Sequence, residues 1–333
     1  MKKSLRILSI AILVTMVATL SLFAGGTSES GKAVESADSY PSKPIQIIVP
    51  VGAGGDTDLN ARLFSKYLEQ ELGQSLAVVN VGGGGGTVGM QQVLDSKTDG
   101  YTALFFHGEA MIPKVAGLVD YGLEAFDMVG IGLLDDTTVL ATHPGTPYNT
   151  LDEFIKYAKA NPRKVEFGMM TGGYPHIVGI AIQEEAGIQM NMVDVGGNAA
   201  KMVALKGRKT DVINIQYGLA LDYFKAGDFV MLGLTSKERN PLFDDIPTTA
   251  EQGLPLEFNK FFFFAMPKGT PQPIIDKFSA AMKRVVDNPS FQADAAKYFV
   301  TPTYMGPADA AAHAQSVFEY FLKYQDLFRA SSK

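Results

Sequence analysis

Hydrophobic positions along the chain switch repeatedly between two periods. Ile45–Val49 is a short β-branched run closed by Pro50 and a Gly-rich turn, after which Leu59, Leu63, Phe64, Tyr67, Leu68 and Leu72 recur at helical spacing until Gly73 ends them. The pattern predicts strand, loop and helix. Leu76–Asn80 starts the cycle again, followed by the glycines of Gly82–Gly86 and an apolar face at Met90, Val93 and Leu94. Thr102–Phe106 follows an Asp99-Gly100 turn as a third strand, and Met128–Gly132 is a fourth. A second series opens with the capping box Thr150/Glu153 on a helix carrying Leu151, Phe154, Ile155 and Ala158. Lys164–Gly168, Met190–Val193, Asp211–Ile215 and Phe229–Leu234 supply its strands, with helices starting near Pro175 and Asn198. Four aromatics at Phe261–Phe264 read as a strand buried on both faces, because neighbouring strand residues point to opposite sides. A helix opened by Pro271 and Pro273 follows, carrying Ile274, Ile275, Phe278, Met282 and Val285 until Asn288-Pro289; a closing helix carries Val317, Phe321, Tyr324 and Phe328.

Alternating strands and helices define an α/β class with helix-covered sheets. Two series of similar size predict two lobes with a ligand cleft between them, joined near Thr138–His143 and Glu257–Phe261. The expected organisation is a signal peptide over 1–24, a flexible leader over 25–39, a first lobe from 40–138 and 262–333, and a second lobe from 139–261. The signal reading rests on Lys2, Lys3 and Arg6 before an uncharged apolar run, Ile7–Phe23, and on the small residues Ala24, Gly25 and Gly26 after it. A retained membrane anchor is the alternative, and a lipoprotein would need a Cys at this junction.

Composition narrows the function. With 333 residues and 46% hydrophobic, the chain is globular, and acids outnumber bases 35 to 29. Losing Lys2, Lys3 and Arg6 with no acid would move the net charge from -6 to -9, which argues against a nucleic-acid partner. With no Cys there is no disulfide, thiolate nucleophile or Cys-based zinc site.

The loops carry the candidate chemistry. Gly52, Gly54 and Gly55 precede Asp56, Thr57 and Asp58 at a helix start, where backbone amides suit a carboxylate or phosphate. The bland alternative is a tight turn capped by Asp56 or Asp58. Gly84, Gly86 and Gly89 satisfy a dinucleotide pattern with Glu109 downstream, but five successive glycines meet that pattern almost automatically. The four histidines, His107, His143, His176 and His313, lack metal-ligand spacing, although His107 follows a strand and His176 a Gly-rich loop, in different lobes, so both can face the cleft. Tyr174 and Tyr217 beside glycine turns are hydroxyl donors of the same kind. No nucleophile and base pair accompanies the loops, so catalytic residues, metal ligands and cofactors are all expected to be absent.

Tyr40-Pro41-Ser42-Lys43-Pro44-Ile45, Pro50–Asp58, Asn80 with its glycines and Asp99-Gly100-Tyr101-Thr102 resemble the solute-binding receptors of tripartite tricarboxylate transporters, the Bug family. Tyr174-Pro175-His176, Ala226-Gly227, Ile246-Pro247-Thr248 and Gly269-Thr270-Pro271 continue the resemblance in order. It implies a two-lobed periplasmic binding protein, type II-like, whose cleft lies between two mixed, helix-covered sheets. It also implies a non-enzymatic periplasmic receptor, monomeric when mature, that passes a small organic acid to transporter membrane subunits. By position it places the carboxylate against Gly52, Gly54, Gly55 and Asp58 and the His107–Glu109 loop. Thr171, Gly172, Gly173, Tyr174 and His176 oppose it, Gly84 lies at the rim, and Gln216 stands beyond Ile215, where many members carry Asp. Asn80-Val81-Gly82-Gly83 departs from the family's Asn-Arg-Pro-Gly. With no Lys or Arg in these loops, the ligand is expected to be held by amides, hydroxyls and water. A secreted nucleotide- or phosphate-ester-using enzyme and a ligand-loaded sensor for a signalling ectodomain are the competing readings.

Overall fold

The computed structural model describes residues 39–240 and 245–331, so the expected signal segment and nearly all of the leader lie outside it. Each strand-to-helix cycle read from the hydrophobic pattern is present. β1 (Ile45–Val49) leads into α1 (Asp56–Leu72), which Gly73 ends in the left-handed conformation at φ 69°. β2 (Leu76–Asn80), α2 (Thr87–Leu94), β3 (Thr102–His107), the short α3 (Ile112–Ala116) and β4 (Phe126–Asp135) follow.

The chain then crosses to a second sheet through β5 (Thr138–Thr142). That sheet is completed by α4 (Leu151–Ala160), β6 (Glu166–Met169), α5 (Tyr174–Ala186), β7 (Asn191–Asp194), α6 (Asn198–Lys206), β8 (Val212–Gln216), α7 (Tyr217–Lys225) and β9 (Val230–Leu234). Thr150 caps α4 as the box requires, its Oγ1 accepting from the Glu153 amide at 3.3 Å. The return strand β10 (Lys260–Pro267) re-enters the first sheet and is followed by α8 (Gln272–Asp287), α9 (Pro289–Ala296), β11 (Thr301–Met305), α10 (Pro307–Leu322) and α11 (Gln325–Ser331).

The first sheet has the order β11-β4-β10-β3-β1-β2 and the second β7-β6-β8-β5-β9. Both are mixed: β1 runs parallel to β2 and β3, while β10 is antiparallel to β3 and β4; β6 runs parallel to β7 and β8, while β5 is antiparallel to β8 and β9. β11 at the edge is also antiparallel to β4, and the two strands by which the chain changes sheets, β5 and β10, are each antiparallel to both neighbours.

The aromatic run is buried on both faces, as its composition requires. Phe262 stacks on Phe105 at 5.8 Å and Phe264 meets Phe64 edge-on at 5.3 Å, while Phe261 turns to the opposite face against His313 at 5.0 Å. Each such side chain contributes about 1.5–3 kcal/mol by leaving water. The C-terminal helices reach back across to α5: the Tyr324 hydroxyl donates to Glu185 Oε1 at 3.0 Å, and Phe328 lies against His176.

Candidate functional site

The loop between β1 and α1 is braced from below. Gly54 takes φ 83°, and its amide donates to Asp58 Oδ2 at 2.9 Å. Asn80 Nδ2 donates to Asp58 Oδ1 at 3.0 Å and to the Val51 carbonyl at 3.2 Å, and Arg62 pairs with the same carboxylate at 2.9 Å. Burial pushes the Asp58 carboxyl up, but Arg62, the Gly54 amide and Asn80 together hold it below its ordinary value. Asp58 therefore shapes the loop with its carboxylate already occupied. The loop's other side is open: a Cβ placed at Gly52, Gly54 or Gly55 meets nothing within 4 Å.

Beside this loop lies a cluster of buried charge. Lys260, the first residue of β10, places Nζ 2.7 Å from Asp56 Oδ2 and 5.7 Å from the centre of the Tyr174 ring. Burial alone would raise the Asp56 carboxyl, yet Lys260 draws it down to about 2. His107 is pressed down to about 3 by burial and then by the Lys260 charge, so its imidazole is neutral at physiological pH. Its Nδ1 accepts from the Glu109 amide at 3.2 Å. Asp135, at the end of β4, is lifted by burial to about 6 while accepting from the Thr137 amide at 2.9 Å.

Glu109 spans from the first sheet to the second. Its carboxylate accepts from the Tyr174 amide at the start of α5, and a Cβ on Gly173 would lie only 2.9 Å from its Oε1. Only 7% of Glu109 is exposed, and burial raises its carboxyl above the ordinary value. The start of α5, on the wall opposite the expected carboxylate loops, is thus capped by a protein carboxylate.

The rest of that loop is engaged in the same way. The Thr171 amide donates to Asp194 Oδ2 at 3.1 Å, the Gly172 amide to His176 Nδ1 at 3.2 Å and the Gly173 amide to the Met170 carbonyl at 3.1 Å. His176 lies within 3.1 Å of Ser331 Oγ through Nε2 and packs against Phe328, so both ring nitrogens meet protein atoms. Tyr174 donates its hydroxyl to the Asn259 carbonyl at 3.1 Å. The structure therefore does not bring Thr171, Tyr174 or His176 forward as free donors; they join the second sheet to the return crossover and the C-terminal helix. Gly172 keeps open space around its Cα.

At the rim, Gly84 takes φ 57°, and a Cβ on Gly85 would come within 3.6 Å of the Gly172 carbonyl, so the two loops approach each other here. The dinucleotide-like glycines have a packing cause: a Cβ would strike Phe106 at 2.8 Å from Gly86 and the Val81 carbonyl at 2.7 Å from Gly89.

The second wall is built from α6 and the end of β8. Gln216 Oε1 accepts from Asn198 Nδ2 at 2.9 Å, and Lys201 Nζ donates to the Asn214 carbonyl at 2.5 Å. Gly197, the residue before α6, faces open space. The candidate loops themselves carry no Lys or Arg, but the fold brings Lys260 and Lys201 from elsewhere in the chain, both buried and interacting with the same groups, Asp56 and Glu109. Loop motifs alone did not reveal them. The available signal was a face: Lys201 shares the i, i+3, i+4 stripe of Ala204 and Leu205, all three buried, and Lys260 directly precedes the four phenylalanines. A separate groove of 440 Å³ between α10 and the start of β4 has its charges paired internally, Lys268 with Asp127 at 2.9 Å.

Two mixed, helix-covered sheets joined by two crossovers, with an open Gly-rich helix start beside the first of them, define a protein with the periplasmic solute-binding fold. Residues 60–320 match the Tripartite tricarboxylate transporter family receptor, and the chain belongs to that family. It is 34% identical over 252 residues to the protein BugT of Bordetella pertussis, covering 72% of this chain and 75% of BugT. The solved periplasmic binding protein BugD is similar at TM-score 0.74 and 27% identity, covering 87% of this chain and 98% of that one. A Rhodopseudomonas palustris protein solved with adipate shares the fold at TM-score 0.76 and 22% identity, over 86% of this chain and 98% of its own. Among the described residues, no helix is long and apolar enough to cross a membrane.

Proposed function

We propose that the chain is an exported receptor that captures a small carboxylated metabolite between a lobe of residues 40–138 and 262–333 and a lobe of residues 139–261, then delivers it to the membrane subunits of a tripartite tricarboxylate transporter. It carries out no chemical step on the solute. The observation that carries this reading is the open glycine edge Gly52–Gly55 at the start of a 17-residue helix, where amides and the helix dipole favour a carboxylate. The adipate bound by the R. palustris protein of the same fold supports the solute class. The residues proposed to touch the solute are Gly52, Gly54, Gly55 and Gly172, with His107, Gln216, Lys201 and Lys260 around them. The segment ahead of Gly25 is proposed to direct export and to be removed.

A thermal-shift screen of the exported protein with mono-, di- and tricarboxylates, amino acids and nucleotides tests the reading. A carboxylate that raises the melting temperature and is recovered unchanged by mass spectrometry is the expected result. A shift with NAD or a nucleotide alone, or turnover of the bound compound, overturns it.

A further inference from the structure

Lys201 is the fourth residue of α6 and is 2% exposed. Its ammonium donates to the Asn214 carbonyl at 2.5 Å and to Asn214 Oδ1 at 3.3 Å, both neutral acceptors. Among the described residues no carboxylate lies within the 4.0 Å of an ion pair, whereas Lys260 has Asp56 at 2.7 Å. A buried ammonium with no counter-charge is costly, and proteins normally pair such groups.

The charges acting on Lys201 come from the first sheet's side. Lys260 on β10 repels it, while Asp56 of α1 and Glu109 of the turn after β3 attract it. Asp56 is already paired with Lys260, and Glu109 caps α5. On the strands beneath α6, Glu166 accepts from Asn191 Nδ2 at 2.7 Å, and Asp211, just ahead of β8, accepts from the Glu166 amide at 2.9 Å. Gly197 at the start of the same helix faces open space. Among the described residues, Lys201 therefore has no carboxylate in direct contact, and the two that attract it from farther off are also engaged elsewhere.

We propose that Lys201 is a specificity-determining residue, the counter-charge for an anionic group of the captured solute on the second wall of the cleft. This deepens the receptor reading and rests on it. Burial, then the Lys260 charge, brings the Lys201 ammonium down to about 7. An arriving anion stabilises the charged form, which draws in up to one proton per solute as pH rises. Affinity is therefore strongest below pH 7 and falls by up to about tenfold per pH unit above it.

The test is calorimetric titration of malate and adipate into the wild type, Lys201→Met and Lys201→Arg, at pH 6 to 8, in two buffers of different ionisation enthalpy. The wild type should show buffer-dependent heat from proton uptake. Lys201→Met, whose fold circular dichroism verifies, should lose at least about tenfold in affinity together with the uptake. Lys201→Arg should show no uptake, because arginine stays charged. The wild-type proton measurement needs no variant, so it stands even if Lys201→Met fails to fold. Binding without proton uptake, uptake that survives in Lys201→Met, or equal affinity in that variant overturns the role of Lys201 and leaves the receptor reading intact. If no carboxylate binds the wild type, the receptor reading fails and this inference fails with it.

Discussion

Replacing Lys260 by Met tests whether the buried charge cluster holds the site together. The pair it breaks has an Nζ–Oδ2 distance of 2.7 Å, and its side chains are 6% and 14% exposed. Methionine fills much of the lysine stem, so the change removes charge more than volume. Asp56 would be left buried without its cation, a loss that costs about 3–5 kcal/mol. At about 2 °C per kcal/mol for a protein of this size, the melting temperature should fall by roughly 6–10 °C. The chain has no Trp, so urea unfolding followed by far-ultraviolet circular dichroism is the suitable assay. The sign of the pH dependence is the sharper readout. In the wild type the Asp56 pKa, about 2, lies below its ordinary 3.8, so its contribution is present above pH 3.8 and is lost as pH falls towards 2. Without Lys260, burial makes Asp56 favour a proton, its contribution reverses sign, and the variant's deficit should shrink between pH 7 and pH 5. Adding Asp56→Asn to Lys260→Met should restore more than half of the loss. A single variant within about 1 kcal/mol of wild type at pH 7, or a deficit that does not change with pH, would refute the reasoning.

Gly55→Val should fold normally, because Gly55 has φ -86° and open space around its Cα, yet lose at least about tenfold in carboxylate affinity; calorimetry beside a melting curve checks both halves. His176→Ala should cost about 1–3 kcal/mol by orphaning the Gly172 amide and loosening α11 while leaving solute affinity unchanged, and an affinity loss at unaltered stability would put the imidazole in the site instead. Asp135, held near 6 by burial, binds its proton more tightly when folded, so its contribution is full below pH 3.8 and is lost as pH rises through 6; Asp135→Asn should flatten that decline in urea-unfolding series at pH 4 to 7.

The strand and helix alternation was legible because each buried strand is a continuous apolar run and each helix carries a stripe. β11 was not, since Thr301–Met305 is an irregular edge strand, only partly buried and containing a proline. The closing helix was read as one stripe from Val317 to Phe328 but is two helices, α10 ending at Leu322 and α11 beginning at Gln325. At the site, the glycine edge could be read from local sequence because its residues are consecutive in the chain. The charge cluster could not, as Asp56 and Lys260 stand 204 positions apart and meet only because β10 returns to the first sheet. His176 shows the same limit: its position after a glycine loop was legible, but its contact with Ser331 of the C-terminal helix, remote in sequence, was not.

The path of β10 also sets a timetable for folding. The second sheet is built wholly from β5 to β9, a continuous stretch of chain, whereas the first has β10 as an inner strand between β3 and β4. As the chain emerges from its N-terminus, the second sheet has all its strands by Leu234, but β3 and β4 cannot acquire their shared neighbour until residues beyond Lys260 arrive. Until then the apolar faces of Phe105, Phe106, Val129 and Ile131 lack the strand that covers their edges, so the sheet begun first in sequence is the later one to be completed. Holding factors that shelter an emerging chain would have their longest engagement with the first hundred or so residues of the fold, and a truncation ending between β9 and β10 should leave the second sheet complete beside an aggregation-prone first half.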